Sequence, residues 1–306
     1  AKAERRTLFG SPLLPGEICP SSVDWLVACY GSRDNSGNFD WLSSYLPYAD
    51  ANGIVLKAFD DALTSCPVPI LAGICAADPF REHGQLIESI KNKGFKGVCN
   101  LPSMALMDGS LRTIVEEQGL GFEREAQLMA IARDKGLYTL ALVASPQEAD
   151  IMLAVGVDAL LLHPGIAFEE SPTLQIDNYL VEIVSLSNRI SSDYPLFACS
   201  VAPRHLERLA HSLPNLSGFY AIRSLENAGA ESSGGNAAGT VKCGQSGRAE
   251  SQGECGGKDV THDESPFLRI DVLFPHMTSG CGRAGAISRF PARPRRFRGN
   301  RSVPHP

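Results

Sequence analysis

Apolar residues cluster along this chain in short blocks separated by longer amphipathic stretches. Largely apolar runs occur at Trp25 to Tyr30, Ile70 to Cys75, Phe95 to Cys99, Leu137 to Val143, Val157 to Leu162, Leu196 to Cys199 and Gly218 to Ile222. Runs of this length fit strands buried on both faces. The intervening stretches carry helical spacing. Leu86, Ile87 and Ile90 share one face of a helix that ends in Lys91, Lys93 and the C-cap residue Gly94. Ile54, Val55, Leu56, Phe59 and Leu63 form another apolar face, with Asp50 or Asn52 as its cap. Further helices are predicted over Ser110 to Gln118, Glu123 to Lys135, Leu174 to Ser192 and Pro203 to Ser212. Ser145, Pro146 and Glu148 read as N-cap, first helical residue and capping-box acid of one more. Trp41 to Tyr48 reads as a short helix.

Strand and helix alternate every ~20 to 40 residues, the rhythm of a parallel (βα)8 barrel of the TIM type. Seven strands are evident and one is missing. Residues 1–23 are irregular, broken by Pro12, Pro15 and Pro20, and only Thr7 to Phe9 could begin a strand. Either this segment supplies a poor first strand or the chain begins inside the barrel; an open doubly wound sheet is the alternative. The barrel is assigned to residues 24–226.

Beyond Glu226 the pattern stops. Residues 227–261 are rich in Gly, Ser and Ala, too apolar-poor to offset the entropy of ordering. The tail, 227–306, is expected to be mostly disordered, and its abrupt junction suggests a read-through or mis-spliced terminus. Seven arginines lie between Arg283 and Arg301, so that end is +7 while the rest of the chain is −13. An acidic body argues against nucleic acid as a partner of the barrel. No apolar run approaches the ~18 residues of a membrane span. Nine cysteines, an odd number without a CxxC pair, favour a reducing compartment over a disulfide scaffold. The cytoplasm is the expected location.

Candidate chemistry sits where strands end, since parallel α/β folds place their sites there. Asp78 follows the Ile70 strand and could hold Mg2+ or act as a general base; it could equally cap a helix starting at Pro79. Arg81 could take a phosphate or carboxylate through paired hydrogen bonds, or lie on the helix surface. Asn100 ends the next strand, and His163 ends the strand Val157 to Leu162, as a general acid/base or a metal ligand. Ser32 follows the Trp25 strand and could contact an anion. Glu116 and Glu117 are adjacent on a helix, so only one can face a site. No HExxH, no phosphate-loop motif and no Ser-His-Asp spacing stands out.

Residues 69–81 (PILAGICAADPFR), 94–102 (GFKGVCNLP) and 116–122 (EEQGLGF) resemble the phosphoenolpyruvate hydrolase-like TIM-barrel family, whose barrel also forms the C-terminal domain of Tm-1-like tobamovirus-resistance proteins. Residues 46–52, 158–163 and 218–226 match the same family in order. The resemblance implies a closed barrel and a hydrolase or lyase acting on a small phosphorylated or carboxylated metabolite. In that scheme Asp78 with Glu116 or Glu117 holds Mg2+ or a water, His163 moves a proton, and Arg81 and Asn100 orient the anion. A homo-oligomer is compatible with it. The family's Gly-rich ends of the seventh and eighth strands are replaced here by Ala198 to Pro203 and by Ile222-Arg223. Loss of those backbone cradles implies an alternative: a barrel without catalysis, serving as a binding or regulatory module.

Overall fold

The computed structural model describes residues 7–20, 22–33, 39–40, 49–163, 194–200 and 216–221, with isolated positions between 184 and 213. The helices expected at 41–48, 174–192 and 203–212, and the tail 227–306, lie outside or almost wholly outside them. The chain splits into two compact units, Ala1–Leu225 with Ala286–Pro306 and Glu226–Gly285, and every described residue belongs to the first.

Eight parallel strands close into a barrel. They are β1 (Leu8–Leu13), β2 (Trp25–Ala28), β5 (Ile70–Gly73), β6 (Gly97–Cys99), β7 (Tyr138–Val143), β8 (Ala159–Leu162), β9 (Leu196–Ser200) and β10 (Gly218–Ala221), in the spatial order β1-β10-β9-β8-β7-β6-β5-β2. A two-stranded antiparallel ribbon, β3 (Ser32–Arg33) and β4 (Phe39–Asp40), follows β2. The open doubly wound sheet is thereby excluded.

The barrel starts at Leu8, not at residue 24, so the irregular segment supplies the missing strand. Its sequence hid it because Gly10, Ser11 and Pro12 dilute the apolar run. Each is tolerated for a local reason. Gly10 pairs in register with both Trp25 and Tyr220, and a Cβ there would sit 2.2 Å from the Trp25 ring. Pairing to β10 spans only Leu8 to Gly10, which gives Pro12 a flank with no ladder bond to lose.

Register also sorts the two faces of each strand. Trp25 and Phe197 touch at 5.3 Å although their strands are not neighbours, so both project into the barrel. Tyr220 stacks on Trp25 at 5.4 Å, and all three rings are fully buried. Alternation then points Val27, Leu71, Cys99, Leu140 and Leu161 inward and Leu26, Ala72, Val98, Ala141 and Leu160 toward the helices.

The helices are α1 (Ala51–Ala58), α2 (Asp60–Ser65), α3 (His83–Lys93), α4 (Gly109–Glu117), α5 (Phe122–Asp134) and α6 (Pro146–Val155). The single helix expected up to Thr64 breaks at Phe59 into α1 and α2. Asp50 caps α1, accepting from the Gly53 N–H at 2.8 Å. Gly94 closes α3 in the left-handed conformation, and Ser145 caps α6 through the Glu148 N–H at 3.3 Å. No described helix is long and apolar enough to cross a membrane. Cys19 and Cys66 form a disulfide with Cα atoms 6.0 Å apart, contrary to the expectation of free thiols. Cys29, Cys75, Cys99 and Cys199 stand outside the disulfide as thiols.

Candidate functional site

The carboxyl ends of β2, β5, β6, β7 and β8 open toward one rim, and the loops there build three polar clusters. The first lies in the loop after β5. Asp78 is 6 % exposed. One of its oxygens accepts from the Phe80 N–H at 2.7 Å; the other accepts from Asn52 at 2.7 Å and from Arg81 at 3.0 Å. Arg81 turns its other donors to Asp50, at 2.5 and 2.7 Å. That pairing holds the Asp50 carboxyl below its usual range and the Arg81 guanidinium above its own. Asn52 also joins the loop to α1, bonding both the N–H and the carbonyl of Cys75.

This corrects the reading of Asp78 as a helix cap. The helix begins at His83, and Glu82 caps it by accepting from the Gly84 and Gln85 N–H groups. Both Asp78 oxygens are committed to protein donors. Among the described residues no group of three or more His, Cys, Asp or Glu is spaced to hold a metal ion. The Mg2+ ligand set expected around Asp78 and a glutamate therefore does not fit these residues. Arg81 is paired with two carboxylates, so its charge is compensated within the protein.

The second cluster surrounds Asn100, which is fully buried. Cys99 points inward, so alternation turns Asn100 outward, between β6, β7 and α5. Its side chain accepts from the Leu142 N–H at 2.7 Å and donates to the Leu142 carbonyl at 3.0 Å, to Glu125 at 2.7 Å and to Ser103 at 3.2 Å. Glu125, on the buried face of α5, also accepts from the Ser103 hydroxyl at 2.7 Å and the Met104 N–H at 2.6 Å. Burial pushes the Glu125 carboxyl up to about 7 against these three donors. Asn100 thus organises a rim loop and does not face the barrel mouth. Glu125 was not singled out by sequence, although a signal existed: it falls in phase with Phe122, Ala126, Met129 and Ala132 on the apolar face of its helix.

In the third cluster Arg112 donates to Glu116 at 2.6 Å, to Glu148 at 3.1 Å and to the Met104 carbonyl. Glu116 accepts from the Phe122 N–H at 3.1 Å, so it closes the start of α5, while Glu117 is exposed. One of the pair does turn inward, but onto Arg112 and a helix end.

His163 directly follows β8 and is buried; its N–H donates to the Val143 carbonyl at 2.9 Å. Burial lowers its imidazole to about 3, so it is neutral at physiological pH. Ser32 is exposed on the ribbon, and its neighbour Arg33 is half-buried in a paired contact with Glu17. The structure thus brings Asp78 and Arg81 together but assigns Asn100 and Glu116 to separate clusters.

One cation differs from these. Arg124, in the first turn of α5, donates from Nε to the Ala76 carbonyl at 2.8 Å and reaches across to the loop after β5. It is the one described arginine with no carboxylate partner, and it is part-exposed. Its charge acts on the Cys75 thiol, which burial nevertheless raises to about 11. Sequence reading passed over Arg124 because nothing local distinguishes it from a surface helix charge.

Residues 22–197 match the model of a family described as phosphoenolpyruvate hydrolase-like. The chain is 31% identical over 215 residues to the ToMV resistance protein Tm-1(GCR237) of Solanum lycopersicum, covering 67% of this chain and 28% of that protein. It is 33% identical over 221 residues to the ToMV susceptible protein tm-1(GCR26) of the same plant, with the same coverage. The chain therefore spans less than a third of the length of these tomato relatives. An uncharacterized protein, y4oT, of Sinorhizobium fredii is 35% identical over 148 residues, 48% of this chain and 74% of that one. A solved structure described as native KDPGal shares 17% identity over 72% of this chain and 88% of its own, with a TM-score of 0.38. With its closed parallel barrel and a family match over more than half its length, the chain belongs to the phosphoenolpyruvate hydrolase-like family.

Proposed function

We propose that the barrel takes a small phosphorylated or carboxylated metabolite at the carboxyl rim of its strands, in the cytoplasm, with Arg124 as the anchor for the anionic group. The observation that carries this reading is the one arginine among the described residues without a carboxylate partner. Every other described arginine ends on a carboxylate, whereas Arg124 is fixed through Nε by the Ala76 carbonyl and keeps its remaining donors for a partner. A guanidinium oriented this way matches two oxygens of a phosphate or carboxylate.

A binding role without catalysis is the second reading, and a specific observation favours it. Asp78, Asn100 and Glu116 are engaged by protein groups, and His163 is held neutral. Titration calorimetry with phosphoenolpyruvate and with inorganic phosphate tests the primary reading. Wild type should bind, and Arg124→Ala should weaken binding at least tenfold while melting normally. Equal binding by both proteins, or none by wild type, would refute it. Phosphate release above the spontaneous rate, abolished in Asp78→Ala, would reject the non-catalytic reading.

A further inference from the structure

We propose that His83 and Arg124 read the rim anion together: Arg124 binds two of its oxygens, and the Nδ1 lone pair of His83 accepts a hydrogen that the anion carries. This deepens the anion-site reading and rests on it. The ligands so selected are hydrogen phosphate, phosphate monoesters in their hydrogen-bearing form, and 2-hydroxy carboxylates.

His83 opens α3 and is buried. Its Nε2 lies 2.9 Å from the Ala76 carbonyl oxygen. Arg124, in the first turn of α5, donates from Nε to that same oxygen at 2.8 Å. Two helix starts and the loop after β5 thus meet at one acceptor. The two side-chain nitrogens are no farther apart than the combined length of those bonds. A carbonyl oxygen can only accept, so Nε2 bears the hydrogen. In the neutral ring Nδ1 is then an acceptor, and among the described residues no donor meets it.

The acids of these elements are turned elsewhere. Asp78 accepts from Asn52, Arg81 and the Phe80 N–H. Glu82 accepts from the Gly84 and Gln85 N–H groups, and Glu125 from Asn100, Ser103 and the Met104 N–H. None of the three neutralises Arg124 or meets His83. The pair therefore sets opposite functions side by side: a guanidinium that only donates and a ring nitrogen that accepts. An anion whose oxygens are all bare satisfies the first and turns its own lone pairs against the second. An anion that keeps a hydroxyl satisfies both, and a site built to bond a hydroxyl rejects an analogue without one. Inorganic phosphate carries at least one hydrogen near neutral pH. A phosphate monoester keeps one in part, since its second ionisation falls at about pH 6. A 2-hydroxy acid brings its hydroxyl beside the carboxylate. Sulfate has no hydrogen to offer.

The test is titration calorimetry with inorganic phosphate and with sulfate, at about pH 7.5, on wild type, His83→Gln and Arg124→Ala. Glutamine keeps a donor for the Ala76 carbonyl and removes the ring acceptor. Wild type should bind phosphate at least tenfold tighter than sulfate. His83→Gln should lose most of that preference, and Arg124→Ala should weaken both anions at least tenfold. Nitrogen NMR of the His83 ring in wild type gives a readout that needs no variant to fold. The free protein should hold the hydrogen on Nε2, and the Nδ1 resonance should move far more with phosphate than with sulfate. Equal affinity of wild type for the two anions, or a preference kept in His83→Gln, overturns the role of His83. So does a hydrogen on Nδ1 in the free protein, or an Nδ1 resonance unmoved by phosphate. The anion site itself stands in those cases if Arg124→Ala still binds more weakly. Wild type that binds neither anion, or Arg124→Ala that binds both as wild type does, refutes the anion site and the role of His83 with it.

Discussion

Replacing Glu125 by glutamine isolates the conflict at the most buried carboxylate of the rim. Three donors face Glu125: the Asn100 amide, the Ser103 hydroxyl and the Met104 N–H. They favour the ionised form, while removal from water, at 2 % exposure, favours the neutral one. The balance lies with burial, which raises the carboxyl from 4.5 to about 7. Because the folded state then binds this proton more tightly than the unfolded state, the group's contribution is fully present below about pH 4.5. It is lost as pH climbs through 7. At about 1.4 kcal/mol per pH unit, the loss amounts to about 3 kcal/mol. Glutamine keeps the shape but does not titrate. Its NH2 meets at least one of the three donors, a cost of about 1 to 3 kcal/mol that does not vary with pH. Urea unfolding of wild type and Glu125→Gln at several pH values between 4.5 and 8 separates the two effects. The wild-type advantage should shrink by about 3 kcal/mol across that window, most steeply between about pH 5 and 7. Parallel curves would show that the three donors cancel burial. A wild-type advantage that grows with pH would show that they outweigh it.

Other consequences follow from the packing and the polar clusters. Asp78→Ala strips Asn52, Arg81 and the Phe80 N–H of an acceptor and should cost about 2 to 4 kcal/mol in urea unfolding, whereas Glu117→Ala should be within ~0.5 kcal/mol of wild type. Gly10→Ala drives a methyl into the Trp25 ring and should lower the melting temperature by several degrees, a loss of about 1 to 3 kcal/mol; an unchanged melt would show that the ring is free to move. The His163 imidazole should show no NMR titration between pH 5 and 8, since burial lowers it to about 3; a midpoint inside that range would restore it as a proton carrier.

The barrel was legible because repeated alternation of buried strand and amphipathic helix leaves a strong pattern, and parallel strands bury both faces. β1 escaped because Gly10 yields its side-chain volume to Trp25, a requirement set by a strand fifteen residues on. At the rim, the sequence placed Asp78 and Asn100 after strands but gave no sign of the protein groups they bond. Asp78 meets Asn52 from 26 residues away and Asn100 meets Leu142 from 42 away, so neither partner is visible locally. Asn100 could have been turned outward by counting alternation from Cys99, and Glu125 could have been found as a charge in an apolar phase. Arg124 had no such signal, because what sets it apart is the lack of an acid that only the folded chain reveals. The cysteine reading went astray for a similar reason: Cys19 and Cys66 carry no motif, and the crossover brings them together.

The most direct test is to locate the anion itself, in crystals grown with phosphoenolpyruvate. Density for its phosphate or carboxylate within hydrogen-bonding reach of the Arg124 guanidinium, beside Cys75 and Ala76, is the predicted result. An anion seated elsewhere on the barrel, or a rim left to water at saturating ligand, would contradict it.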